Sequence, residues 1–249
     1  MRIRSIFARL ALAGALLASI SAIGAPDEAQ RIVQIVESRY HSARTLKAVF
    51  LERYSEGRNT VRIESGTAFF SRPGRMLWEY EEPEKKVFVT DGKTVWFYVP
   101  ADHTVTRAPM KKSDDMRTPL SLITGNSSLS RFCKRIELLP QAGAAGALTL
   151  RCQPRGASDA TDSTNKGSRS PGKAISPADT GEIREVLLDV DGKDGWLSRV
   201  LIRQSGGIEI EYSFGRWQMD MDLPDAMFHF QAPKGVAIVE AGSIPAEQK

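Results

Sequence analysis

Histidine and cysteine are scarce here: three and two residues in a chain of 249. His41, His103 and His229 lie in separate segments, none with another histidine, cysteine or carboxylate at ligand spacing. A closed metal site needs about four such donors converging, so neither a metal nor a cofactor is expected. Also missing are a Gly-x-Ser-x-Gly elbow, a Ser-x-x-Lys pair and a glycine loop able to cradle phosphate. The acidic run Glu79, Glu81, Glu82 and Glu84 reads as a solvated strand edge and turn around Pro83. Asp189, Asp191 and Asp194 depart from the calcium-loop pattern and have no glutamate at its twelfth position, so "DVDGKDGW" reads as a glycine-rich hairpin turn. Catalysis has no candidate constellation, and the chain is not expected to be an enzyme.

A strongly basic balance is missing as well. The formal charge is +4, but Arg2, Arg4 and Arg9 belong to an N-terminal leader, which leaves +1 after residue 24. No polybasic patch supports nucleic-acid binding. The leader has a positive start, an apolar stretch from Leu10 to Ile20 and small residues at Ala22-Ile23-Gly24-Ala25. That is the layout of a cleaved secretory signal at residues 1–24, and it is too short for a membrane span of about 20 apolar residues. Residues 25–249 are then an exported, soluble single domain. In an oxidising compartment Cys133 and Cys152 should pair. The turn-forming run Gln141–Gly146 lies midway between them and would fold two strands so that the cysteines oppose each other. Their spacing is not the C-x-x-C of a redox pair.

What remains is strand. One helix is expected near the start, where Ile32, Ile35, Val36, Arg39 and Tyr40 fall at helical spacing. Then come strands at Ala48–Arg53, Asn59–Phe70 and Met76–Glu81, a Val87–Val99 hairpin turning at Asp91-Gly92, and Thr104–Ala108. Thr118-Pro119 opens a short amphipathic helix bearing Leu120 and Ile123, ended by Gly125. The Cys133–Cys152 hairpin follows. Residues 154–181 contain no aromatic residue and one large aliphatic, Ile175. Such a segment is expected to be a disordered polar insertion. Strands at Ile183–Val190, Trp196–Arg203, Ile208–Phe214 and Trp217–Met221 and an ordered tail complete ten or eleven strands in one antiparallel system. Val95–Val99 is apolar at five successive positions, where a strand with one face in water would alternate. Both of its faces must be covered, with Trp96 and Phe97 on opposite sides.

The segment "SRPGRMLWEYEEPEKKVFVTDGKTVWFYVP", Ser71 to Pro100, resembles the signature of the periplasmic outer-membrane lipoprotein carrier family, LolA: a basic-Pro segment leading to Trp, an acidic proline turn, and a valine-rich strand into Asp-Gly-Lys-Thr. "TPLSLI", "LKAVFLERY" and "FHFQAPKGVAIVE" are similar to other parts of that family. The long insertion and the cysteine hairpin are departures. The resemblance implies a mainly β fold with some α: an incomplete, half-open antiparallel β-barrel of about eleven strands, its open side covered by short helices. It implies a monomeric periplasmic carrier that shelters lipoprotein acyl chains in a hydrophobic cavity. Cargo would come from an ATP-driven inner-membrane transporter and pass to an outer-membrane acceptor lipoprotein. A chaperone or sensor of the same fold for another lipid or glycolipid is the nearest alternative, and an enzyme on the same half-barrel a more distant one.

By the same resemblance Arg72 matches an arginine that locks a lid helix, here Leu120–Gly125, through backbone carbonyls. Met76 matches a large apolar residue near the cavity, and Trp78 an interior one. Alternation adds Val61, Ile63, Phe69 and Tyr80 to the interior face, Phe97 joins it from the hairpin, and Leu120 and Ile123 face it from the lid.

Overall fold

The computed structural model describes residues 27–110, 122–124, 128–140, 147–155 and 182–240. The segment expected to be a signal, Leu120 and most of the expected polar insertion lie outside them. Helix α1 (Glu28–Ser42) buries Ala29, Ile32, Val33, Val36 and Tyr40 along one stripe, the spacing that puts every third or fourth residue on one face. The buried Tyr40 hydroxyl accepts the Leu197 N–H at 3.0 Å, which pins the helix to the sheet. Gly195, at φ +74°, passes directly against α1: a Cβ there would lie 2.8 Å from the Ile35 carbonyl oxygen.

The strands are β1 (Thr45–Glu56), β2 (Asn59–Ser71), β3 (Arg75–Glu82), β4 (Lys86–Thr90), β5 (Thr94–Val99), β6 (Thr104–Pro109), β7 (Cys133–Leu138), β8 (Leu148–Pro154), β9 (Ile183–Val190), β10 (Leu197–Gln204), β11 (Ile208–Met219) and β12 (Ala237–Glu240), with one turn of helix, α2 (Leu129–Phe132), before β7. They form one sheet in the order β12-β6-β5-β4-β3-β2-β1-β11-β10-β9-β8-β7. Every neighbouring pair is antiparallel except β12 with β6. The two ends of the sheet do not pair, so it stays open. The mainly β, incomplete-barrel expectation holds, with two differences in strand count. The two strands expected across 208–221 are one, β11, bent where Arg216 takes φ +54° and the register with β1 slips between Lys47 and Val49. The tail also adds β12 at the β6 edge.

The sheet has two unlike faces. On the inner face, α1 packs over a core that includes Leu150, Val186, Leu188, Val190, Leu197, Val200 and Ile202. On the outer face, charges from β7 to β11 pair in rows. Arg203 contacts Glu209 and Glu185, Arg151 contacts Glu185, and Arg199 joins Asp189 to Glu211. Toward the other end, the outer face is apolar and covered by the tail. Leu77, Val89 and Phe228 form a second core with Phe69, Val87, Trp96, Leu223, Met227 and Phe230.

Cys133 and Cys152 are bonded, with Cα atoms 5.5 Å apart. They are not directly opposite, however: Cys152 pairs with Ile136 and Cys133 with Pro154, across an irregularity between Cys133 and Arg135. Pro154 thus closes β8, and the Arg155 N–H donates to the Phe132 carbonyl, so the insertion starts beyond residue 155. In the 191–196 turn, the Asp191 carboxylate accepts the Lys193 and Asp194 N–H groups at 2.8 and 2.7 Å.

Candidate lipid-binding face

The inner face is built around Trp78. Strand register sets Trp78 beside Ala68 on one side and Phe88 on the other. Its ring meets Phe50 at 4.7 Å, Tyr212 at 5.5 Å, Phe70 at 5.7 Å and Phe214 at 6.1 Å between centroids. Edge-on contacts of this kind add about 0.5–1.5 kcal/mol each beyond area burial. The small side of β2 makes room for these rings. Gly66 lies so close to β3 that a Cβ would sit 1.9 Å from the Glu79 carbonyl oxygen.

Met76 and Tyr80 pack against the same core, alternating along β3 with Trp78. The pairing of Phe88 with Phe97 puts Phe97 on this face too. Along β4 and β5 the face continues through Phe88, Val95, Phe97 and Val99, all half-buried. Trp96 and Tyr98 point to the opposite side, where both rings lie 5.7 Å from Phe230 of the tail. The unbroken β5 run therefore serves two apolar surfaces.

Three of the expected residues take the other face. Val61 and Ile63 are 59% and 48% exposed, and Phe69 lies outside, in the core beneath the tail. Alternation had the right period on β2 but the wrong side. Phe70, 1% exposed, is the aromatic that turns inward. Large inward rings from β3 require small neighbours on β2, and that complementarity singles out Gly66 and Ala68 as the inner set. Ile123 is fully buried in the main core with Leu122 beside it. Leu120 lies outside the described residues.

Facing inward with Gly66 and Ala68 are Arg62 and Glu64, and they enter a polar cluster at one margin of the apolar floor. Glu52 and Glu64 are direct cross-strand partners, only 6% and 3% exposed. The Tyr80 hydroxyl donates to Glu52 Oε2 at 2.9 Å. Lys86 Nζ donates to Glu64 Oε1 at 2.5 Å. Arg62 lies 2.7 Å from Glu64 and 3.8 Å from Glu52. Burial pushes the Glu52 carboxyl above its ordinary range, against the opposing pull of Tyr80 and Arg62. Tyr80 and Tyr212 are pushed well up, by burial first and by the Glu52 charge next. Hydrophobic pattern alone cannot find such a cluster, because its compensation is between strands.

Arg72 sits at the corner between β2 and β3. Among the described residues its guanidinium donates to the His41 carbonyl at 2.6 Å and the Tyr40 carbonyl at 3.0 Å. These are the last carbonyls of α1, where a helix is short of partners and negative in potential. Arg72 thus recognises backbone carbonyls at the end of α1; of the Leu120–Gly125 lid expected to receive it, only residues 122–124 are described. Next to it, Arg75 donates to Asp225 at 2.6 Å and to the Arg72 carbonyl at 3.2 Å, with its guanidinium 5.4 Å from the centre of the Phe228 ring. The corner thus ties the helix on one face to the tail on the other. Two surface clefts, of about 510 and 220 Å³, are lined by β7 and β8 residues such as Arg135 and Glu137, away from the aromatic floor.

Sequence and fold comparisons agree with this picture. A family model described as "Outer membrane lipoprotein carrier protein LolA" matches residues 41–165, half of the chain. The outer-membrane lipoprotein carrier protein of Nitrosospira multiformis is 25% identical over 207 residues, 82% of this chain and 86% of its own. That of Chromobacterium violaceum is 26% identical over 218 residues, 87% and 91%. An uncharacterised protein of known structure from Thermus thermophilus shares the fold at TM-score 0.50 and 13% identity, over 86% of this chain and 99% of that one. An open antiparallel sheet with an aromatic inner face, a helix laid across it and a matching family model lead to one conclusion: the chain belongs to the LolA family of outer-membrane lipoprotein carrier proteins.

Proposed function

We propose that this protein is a periplasmic carrier that holds the acyl chains of lipoproteins against the inner face of its sheet and moves them from the inner to the outer membrane. The observation that carries this reading is the half-buried strip Phe88, Val95, Phe97 and Val99, which continues the aromatic floor along β4 and β5. An acyl chain loses about 0.8 kcal/mol per methylene exposed to water, and a strip of this kind offsets that loss without any covalent step. In this reading Met76, Trp78, Tyr80 and Phe97 contact cargo, with Leu120 and Ile123 closing over it. Arg72 is a latch whose release from the end of α1 lets the helix shift as cargo enters. Loading from an ATP-driven inner-membrane transporter and unloading to an outer-membrane acceptor lipoprotein belong to the same proposal.

A second reading, a LolA-fold chaperone for another lipid, would use the same buried polar cluster to meet that lipid's polar head. Incubation with inner-membrane vesicles bearing an acylated lipoprotein tests the first reading. A soluble complex should form with the acylated form and not with a variant lacking the acylated cysteine. Release of both forms or of neither refutes lipoprotein carriage.

A further inference from the structure

Two carboxylates on the floor of an apolar binding face are costly. Moving each ion out of water costs several kcal/mol even after relaxation, and burial of β1 and β2 could have been completed by aliphatic residues at positions 52 and 64. The charges around them balance. Glu52 and Glu64 oppose Arg62 and Lys86, while Glu84, 3.7 Å from Lys86, has a side chain 44% exposed and is screened by solvent. The cluster also keeps hydrogen-bonding capacity in reserve. Arg62 Nε is held by Glu64 Oε2 at 2.7 Å, whereas the nearest cation to Glu52 Oε1 among the described residues is Arg62 at 3.8 Å. Lys86 has three donors and faces Glu64 and the more distant Glu84.

Its position matters as much as its charge. Lys86 precedes Phe88 by two residues on the same face of β4, and Phe88 pairs with Phe97. Tyr80 pairs with Lys86, and its hydroxyl reaches Glu52. An amphiphile whose chain lies along Phe88 and Phe97 would therefore bring its head to Lys86, Arg62 and Glu52.

We propose that Arg62, Glu64, Lys86, Glu52 and Tyr80 form a head-group site for an acylated cargo whose polar end is uncharged and rich in ester, amide or hydroxyl oxygens. A net-neutral cluster with both spare donors and a spare acceptor satisfies such a head without leaving an uncompensated charge. A free carboxylate or ammonium would leave one. This inference rests on the carrier reading above and adds the class of head group to it.

Displacement of Nile red by three twelve-carbon amphiphiles, monolauroylglycerol, laurate and dodecylammonium, separates the two. In the native protein monolauroylglycerol should bind about tenfold more tightly than either ion. Lys86→Met leaves the cluster negative and should make dodecylammonium the best ligand, while Glu64→Gln leaves it positive and should favour laurate. Equal affinities in the native protein overturn the head-group site alone, as does an unchanged order in a variant that still melts cooperatively. Failure of all three to displace the dye overturns the carrier reading and the site with it. If a variant does not fold, the order in the native protein decides.

Discussion

Trp78 touches four other rings on the inner face, so Trp78→Ala should cost about 3–5 kcal/mol in chemical denaturation. Val61→Ala, on the exposed side of the neighbouring strand, should stay within about 0.5 kcal/mol. If the two were equal, the assignment of faces would be wrong. Arg72→Leu removes two charge-assisted hydrogen bonds to the last carbonyls of α1, each worth about 1.5–3 kcal/mol. Amide exchange should then speed up in α1 more than in β8–β10. Glu52 gives a pH signature. Its carboxyl is held above its unfolded range by burial, so the folded state binds the proton more readily. Stability therefore falls as pH rises from the ordinary carboxylate range through the folded value. Glu52→Gln should remove that slope while Gln keeps an acceptor for the Tyr80 hydroxyl. Melting temperature against pH, native minus variant, measures it.

At the scale of elements, the tail is the piece whose role is easiest to isolate. Truncation after Met221 strips Phe228 and Phe230 from Phe69, Leu77, Val89 and Trp96 and should expose an apolar face that binds hydrophobic dye. Arg75→Ala, which cuts the link to Asp225, should do the same more weakly. Much at this scale was readable in the sequence because it is local. The Asp91-Gly92 turn declares itself: Gly92 takes φ +88°, and Asp91 accepts the Lys93 and Thr94 N–H groups, both at 2.8 Å. So do the Cys133–Cys152 bridge and the double-sided burial of β5. The facing of β2 was not readable, because Phe69 and Phe70 are both aromatic and each has an apolar surface to enter. Arg62 and Glu64 look solvated until Glu52, Lys86 and Tyr80 arrive from three other strands.

At the scale of the molecule, the open sheet carries a half-buried apolar strip on the face where α1 packs, and the proposed carriage places an apolar chain on it. Residues 156–181 interrupt the chain between two strands that pair directly, β8 and β9. Their deletion should leave the melting transition cooperative and nearly unshifted, since closing a shorter loop changes entropy by only about 0.6 kcal/mol per halving of length. The carrier claim itself is met most directly by mass spectrometry of protein purified gently from an exporting cell and extracted with organic solvent. The account predicts acylated cargo in the extract, enriched when Arg72→Leu loosens the end of α1. Protein that is consistently free of any acyl compound, in native and Arg72→Leu forms alike, would contradict it.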